Sequence, residues 1–144
     1  MKDSIHKYFQ VGTLQWMSFN QSPAMESLHA IATDDYFDAI EIKGYATPEE
    51  REQAKAMLSQ SHLTVCYGAQ PRLLAGKLNP NAIDEAERKK AEDALLESLD
   101  EAEYLGAGGI AFLAGKWQEE TKEQAYQQLL KTTEICATPR PPRA

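Results

Sequence analysis

The sequence is short of basic charge, of histidine and of cysteine, and each shortage removes a class of function. Lysine and arginine number 15 against 22 acidic residues, for a formal net charge of −7. A chain that grips nucleic acid through its phosphates needs a basic face, so no nucleic-acid partner is expected. The two cysteines, Cys66 and Cys136, belong to no CxxC pair and no zinc-like cluster. Cys66 lies in an apolar, strand-like run, where a reduced, buried thiol is expected and a disulfide is not. The three histidines, His6, His29 and His62, are scattered, and nothing in their spacing suggests a metal site. No apolar run reaches membrane length, and residues 1–7 contain no apolar leader core. The expectation is therefore no membrane partner and, by default, a cytoplasmic address. No GxGxxG or GxxxxGK[ST] follows the first strand, which weakens nucleotide-binding readings. No GxSxG occurs, and Cys66 has no neighbouring base, so nucleophilic hydrolysis finds no support.

What is present is an alternation. Of 144 residues, 42% are hydrophobic and 26% charged, the balance of a soluble globular protein. Four β-rich runs, at 8–14, 37–43, 63–67 and 109–114, alternate with helical patterns. Ser22 and Pro23 read as a helix cap and first helical residue. Thr47-Pro48-Glu49-Glu50 reads as a capping box, and so does the stretch from Thr121 to Gln124. A loop over 68–80 precedes a long helix at about 82–104. Its inner stripe is Ala91, Ala94, Leu95, Ser98, Leu99, Ala102 and Leu105, and Gly106 is its stop. The acidic stretch from Asp84 to Asp93, interleaved with Arg88, Lys89 and Lys90, reads as a solvated face with i,i+4 pairs. The last run, 109–114, reads as a strand buried on both faces.

Strand–helix alternation demands parallel strands joined by right-handed crossovers. The fold class expected is α/β: four parallel βα units, strand order 1-2-3-4, making the first half of a (β/α)8 barrel. A complete barrel takes about 250 residues. An open doubly wound sheet is the other architecture that fits. Residues 1–137 carry the partial barrel. Residues 138–144, with three prolines and two arginines, read as a disordered tail of a kind that truncation or a frameshift would produce.

Phe37-Asp38-Ala39-Ile40-Glu41-Ile42 resembles the second strand of the sugar phosphate isomerase/epimerase family, whose barrel is xylose isomerase-like. Residues 99–107 followed by 109–115 look like that family's third helix and fourth strand. The resemblance spans about residues 8–136. It implies a metal-dependent isomerase or epimerase acting on a sugar or sugar phosphate. It also implies, for a full-length relative, a divalent metal of the manganese or magnesium type. Those ligands lie on later strands, so no metal ligand is carried over, and no cofactor is expected in this chain. On that reading the isolated chain is inactive. Histidines used by a related endonuclease-like branch are not matched either.

Alternate strand residues face a barrel's interior, and active sites sit at the strands' C-terminal ends. Glu41 would then point inward while Ile40 and Ile42 face the helices. Its carboxylate suits a sugar hydroxyl or acid–base work; the structural alternative is an ion pair with Lys43 or an arginine. Trp16, beside Gln15 after the first strand, and Trp117, beside Lys116 after the fourth, offer indole faces to a sugar. Tyr67 and Gln70 follow the third strand and would line the same mouth. A competing expectation is a self-associating half-barrel, a scaffold or binding module joined through its open sheet edges.

Overall fold

The computed structural model describes residues 5–139. The segment expected as a disordered tail, 138–144, therefore lies mostly outside the described residues. Four strands, β1 (Gly12–Leu14), β2 (Ala39–Ile42), β3 (Thr64–Gly68) and β4 (Ile110–Ala111), pair in parallel in the order 1-2-3-4. The helices are α1 (Gln15–Ser18), α2 (Ala24–Ala32), α3 (Pro48–Gln60), α4 (Gln70–Ala75), α5 (Glu85–Tyr104) and α6 (Lys122–Ala137), with a 3-10 turn at Glu119–Thr121. This is the α/β arrangement of four βα units, the first half of a (β/α)8 barrel.

The chain forms two compact units. Among the described residues, one comprises those up to Ala69 with Asp100–Ala111, and the other comprises Gln70–Leu99 with those from Phe112. The first holds the whole sheet. Parallel register sets Thr13, Ile40 and Val65 in one row, and Gly12, Ala39 and Thr64 in the next. Ile40, Ile42, Val65 and Tyr67 are buried, as are Leu28 and Ile31 of α2 and Ala54 and Leu58 of α3. Full burial of each large apolar side chain is worth about 1.5–3 kcal/mol. The opposite side of each strand is more open: Thr64 and Cys66 are exposed, and Ala39 and Glu41 are half-buried.

Local chemistry fixes the helix ends. The Thr47 hydroxyl accepts from the Glu50 N–H at 3.1 Å, and the Glu50 carboxylate accepts from the Thr47 N–H, so the capping box forms in full. Gly106 adopts φ +77 and ends α5, with the Ala107 N–H donating to the Ala102 carbonyl at 2.9 Å.

Several expectations are corrected. The strands are shorter than their apolar runs, and β4 has only two residues. It is not buried on both faces: Ile110 and Ala111 are half-buried, and Leu113 beyond them is exposed. Cys66 is free and exposed, because its place in the alternation puts it on the open side. Residues 15–18 are a helical turn, and the 68–80 connection contains α4, which has Pro71 at its second position. The cap of α2 is Pro23, with no side-chain bond from Ser22. Thr121 stands at the N-cap of α6 but forms no capping box; its hydroxyl donates to the Gln118 carbonyl within the 3-10 turn. The charged stretch on α5 is only partly solvated, since Arg88 and Glu92 are 1% and 2% exposed.

Candidate functional site

In the first unit the parallel register places Leu14, Glu41 and Cys66 side by side in one row across β1, β2 and β3. The row lies toward the C-terminal ends of the strands. Its residues alternate with the buried Thr13, Ile40 and Val65, so they belong to the face turned away from the helices. In a closed barrel that face lines the interior. Glu41, half-buried, is the carboxylate of this row. Trp16 is the second residue of α1, two positions beyond β1, and is half-buried.

Gln15 and Tyr67 go elsewhere. Tyr67 lies within β3 on the helix-facing side, 1% exposed, and its hydroxyl donates to Glu101 Oε2 at 2.9 Å. The Glu101 carboxylate, on the last turn of α5, also accepts from the Tyr45 N–H at 3.1 Å and lies 3.3 Å from Arg51 Nε. Tyr45, in the loop after β2, donates its hydroxyl to Gln15 Oε1 at 3.1 Å. Gln15 Nε2 in turn donates to the Ala24 carbonyl and the Ser27 hydroxyl. One buried polar chain thus joins the ends of β1, β2 and β3 to three helices. Burial pushes the Tyr45 phenol well above its ordinary range, with the Glu101 charge adding to the effect and the Gln15 bond opposing it. Tyr45 therefore stays a neutral donor. The network braces the loop that follows Glu41 without reaching the open face. Nothing in the spacing of Gln15, Tyr45, Tyr67 and Glu101 marks them as partners; only the sheet register brings them together.

The second unit holds Gln70 and Trp117, and the structure does not bring them to one place. Gln70 opens α4 and is half-buried. Trp117, 53% exposed, lines a cavity of about 400 Å³ with Asn79, Asn81, Asp84 and Lys116. The Lys122 ammonium lies 5.2 Å from its ring centroid. Asn79 Nδ2 donates to the Lys116 carbonyl at 3.3 Å, tying the two loops that flank the cavity. Gly115, at φ +88, is required there, since a Cβ would run into the side-chain oxygens of Asn79 and Asn81. The cavity is lined by an indole, two amide side chains, the acidic residues Asp84 and Glu87, and Lys116, a mixture that suits a small polar molecule.

The metal implied by the sequence resemblance finds no ready donor set. Among the described residues no three histidine, cysteine, aspartate or glutamate side chains gather as a metal site. The Glu101 carboxylate is taken by Tyr45, Tyr67 and Arg51, so the residues present do not fit the group. Among the described residues, no helix is long and apolar enough to cross a membrane.

Residues 30–138 match the family described as xylose isomerase-like TIM barrel. No curated protein matches the sequence significantly, and neither does any solved structure.

Proposed function

We propose, since this chain belongs to the xylose isomerase-like TIM barrel family, that it supplies the substrate-facing front half of an enzyme that isomerises or epimerises a sugar or sugar phosphate. The observation that carries the reading is the position of Glu41. Its carboxylate stands on the sheet face that becomes a barrel's interior, in register with Leu14 and Cys66. A carboxylate there accepts hydrogen bonds from sugar hydroxyls and is placed for proton transfer beside a carbonyl. Trp16, half-buried just beyond β1, adds an indole surface for the apolar face of a sugar ring. The residues present do not fit the divalent metal, so no step of the reading runs through it, and the chain by itself binds sugar without turning it over.

Calorimetric titration of the 144-residue chain with aldoses, ketoses and their phosphates tests this. The expected dissociation constant is about 1 mM, equivalent to about −4 kcal/mol. Glu41→Gln is expected to weaken it by about tenfold, which one hydrogen bond to a charged group supports. Equal affinity in the wild type and the variant would remove Glu41 from the site. Turnover of a ketose by the isolated chain at an ordinary enzymatic rate would overturn the half-enzyme reading.

A second reading has its own observation. Leu14 and Cys66 are exposed on the open side of the sheet, and among the described residues β1 and β4 each pair along one edge only. Parallel sheets are ordinarily covered on both faces. On this reading the chain is a self-associating scaffold. Sedimentation showing a monomer with full amide protection across β1 and β4 would reject it.

A further inference from the structure

The buried polar chain at the strands' C-terminal ends runs through Gln15, and every polar group of that side chain is used. Its Nε2 donates to the Ala24 carbonyl at 2.7 Å and to the Ser27 hydroxyl at 2.9 Å. The Ser27 hydroxyl spends its own proton on the same Ala24 carbonyl, at 2.9 Å, so it can only accept from Gln15. The amide nitrogen therefore faces α2, and the amide oxygen is left for the Tyr45 hydroxyl at 3.1 Å. Turning the amide over would set two oxygens against each other at Ala24. The neighbours thus fix the direction of each bond, and Tyr45 must be the donor.

What Gln15 holds is α1. That helix has four residues, no side-chain hydrogen bond at its N-cap, no acidic residue in its first turn and no basic one in its last. A single turn fixes several backbone angles for one hydrogen bond and does not persist by itself. Gln15 is its one buried residue, while Trp16 is half-buried and Met17 and Ser18 are exposed. The Thr13 and Ser18 hydroxyls, 2.5 Å apart, close the turn locally. The bonds of Gln15 reach further, to α2 and to the loop after β2. On that loop Tyr45 is held twice, since its N–H donates to Glu101 and its hydroxyl to Gln15. It stands four residues after Glu41.

We propose that Gln15 is a positioning residue: it receives the Tyr45 hydroxyl and so holds the turn carrying Trp16 and the loop following Glu41 in one arrangement. Gln15 and Tyr45 are 3% and 6% exposed and act through their neighbours. As a determinant of sugar affinity, the role rests on the reading of Glu41 and Trp16 as sugar contacts. As a coupling between the two segments, it does not.

The indole N–H resonances of the 144-residue chain test it. The chain has two tryptophans, and Trp117, which belongs to the other unit, is the internal control. Tyr45→Phe deletes one oxygen and keeps the ring. In the unliganded chain it is expected to shift or broaden the Trp16 signal and leave that of Trp117 in place. Gln15→Leu is expected to do the same and to shift the amides of residues 43–46. In calorimetric titration with a ketose phosphate, each variant is expected to raise Kd about fivefold, the worth of one hydrogen bond. The double variant is expected to do no more than Gln15→Leu alone, because the two share a bond. A contact that merely held the fold together would lower thermal stability without singling out one indole. An unchanged Trp16 signal in Tyr45→Phe, or equal movement of both indoles, would overturn the coupling. Wild-type affinity in both variants would remove Gln15 from the sugar site. An unaltered chain that binds no ketose phosphate would overturn the sugar reading instead, and the indole signals, which need no ligand, would still decide the coupling. Tyr45→Phe carries the test even where Gln15→Leu folds poorly.

Discussion

A one-residue step along β3 carries a side chain from the open face to the helix layer, and Tyr67 stands on the helix side while Cys66 stands on the other. Tyr67 donates to a buried carboxylate that also serves Tyr45 and Arg51. Tyr67→Phe removes that donor and leaves the Glu101 charge less satisfied. A loss of about 1.5–3 kcal/mol is expected in urea unfolding, the range for hydrogen bonds to charged groups. A change under 0.5 kcal/mol would mean that the network does not brace the sheet. Arg88 is a sharper case. Its guanidinium donates to Glu92 at 2.6 Å and to the Thr132 hydroxyl at 2.9 Å, and Thr132 donates to the Pro80 carbonyl. Arg88→Ala strands the buried Glu92 charge, and a loss of about 3–5 kcal/mol is expected. The orientation of Glu41 was legible from strand alternation alone. The burial of Arg88 was not, because an i,i+4 charge pattern looks the same on a solvated face as on one that a threonine of another helix closes over.

At the scale of the element, caps and charge pairs set the stability of helices whose apolar faces are modest. Thr47→Ala is expected to cost about 1 kcal/mol, because both bonds of its capping box form. Thr121→Ala is expected to stay within about 0.5 kcal/mol, because that hydroxyl serves only a turn. Paired thermal melts of the two variants check this, and equal shifts would contradict it. The two sequences look alike as capping boxes. The difference is the 3-10 turn at Glu119–Thr121, which turns the Thr121 hydroxyl back to Gln118, and no local pattern announces it. On α5, hydrogen bonds from Arg88 and Lys131 hold the Glu85 carboxyl down at about 2. Burial works to raise Glu92, but bonds from Lys89 and Arg88 outweigh it and hold that carboxyl below its usual value. Carboxylates depressed in the folded state contribute stability above their unfolded value, and it is lost as pH falls through the folded one. Acid unfolding between about pH 4.5 and 2 should therefore be steeper in the wild type than in Arg88→Ala. Parallel pH profiles would contradict the pairing.

At the scale of the whole molecule, the strand order followed from alternation and chirality, since parallel neighbours joined by right-handed crossovers leave few alternatives. The extent of the strands did not follow. Apolar runs of five to seven residues shrink to as few as two paired residues in β4, where hydrogen bonding and not hydropathy sets the limit. The division into two units was also invisible, because it cuts within the long helix pattern. On the proposed function, the open face of the sheet, with Glu41 on it, receives a sugar. This is tested most directly by backbone amide spectroscopy of the isotope-labelled 144-residue chain titrated with a ketose phosphate. Saturable shifts are expected at Leu14, Glu41 and Cys66, with Ile40, Ile42 and Tyr67 far less affected. Shifts confined to the helix-facing residues, or none at concentrations ten times the expected 1 mM dissociation constant (about 10 mM), would contradict it.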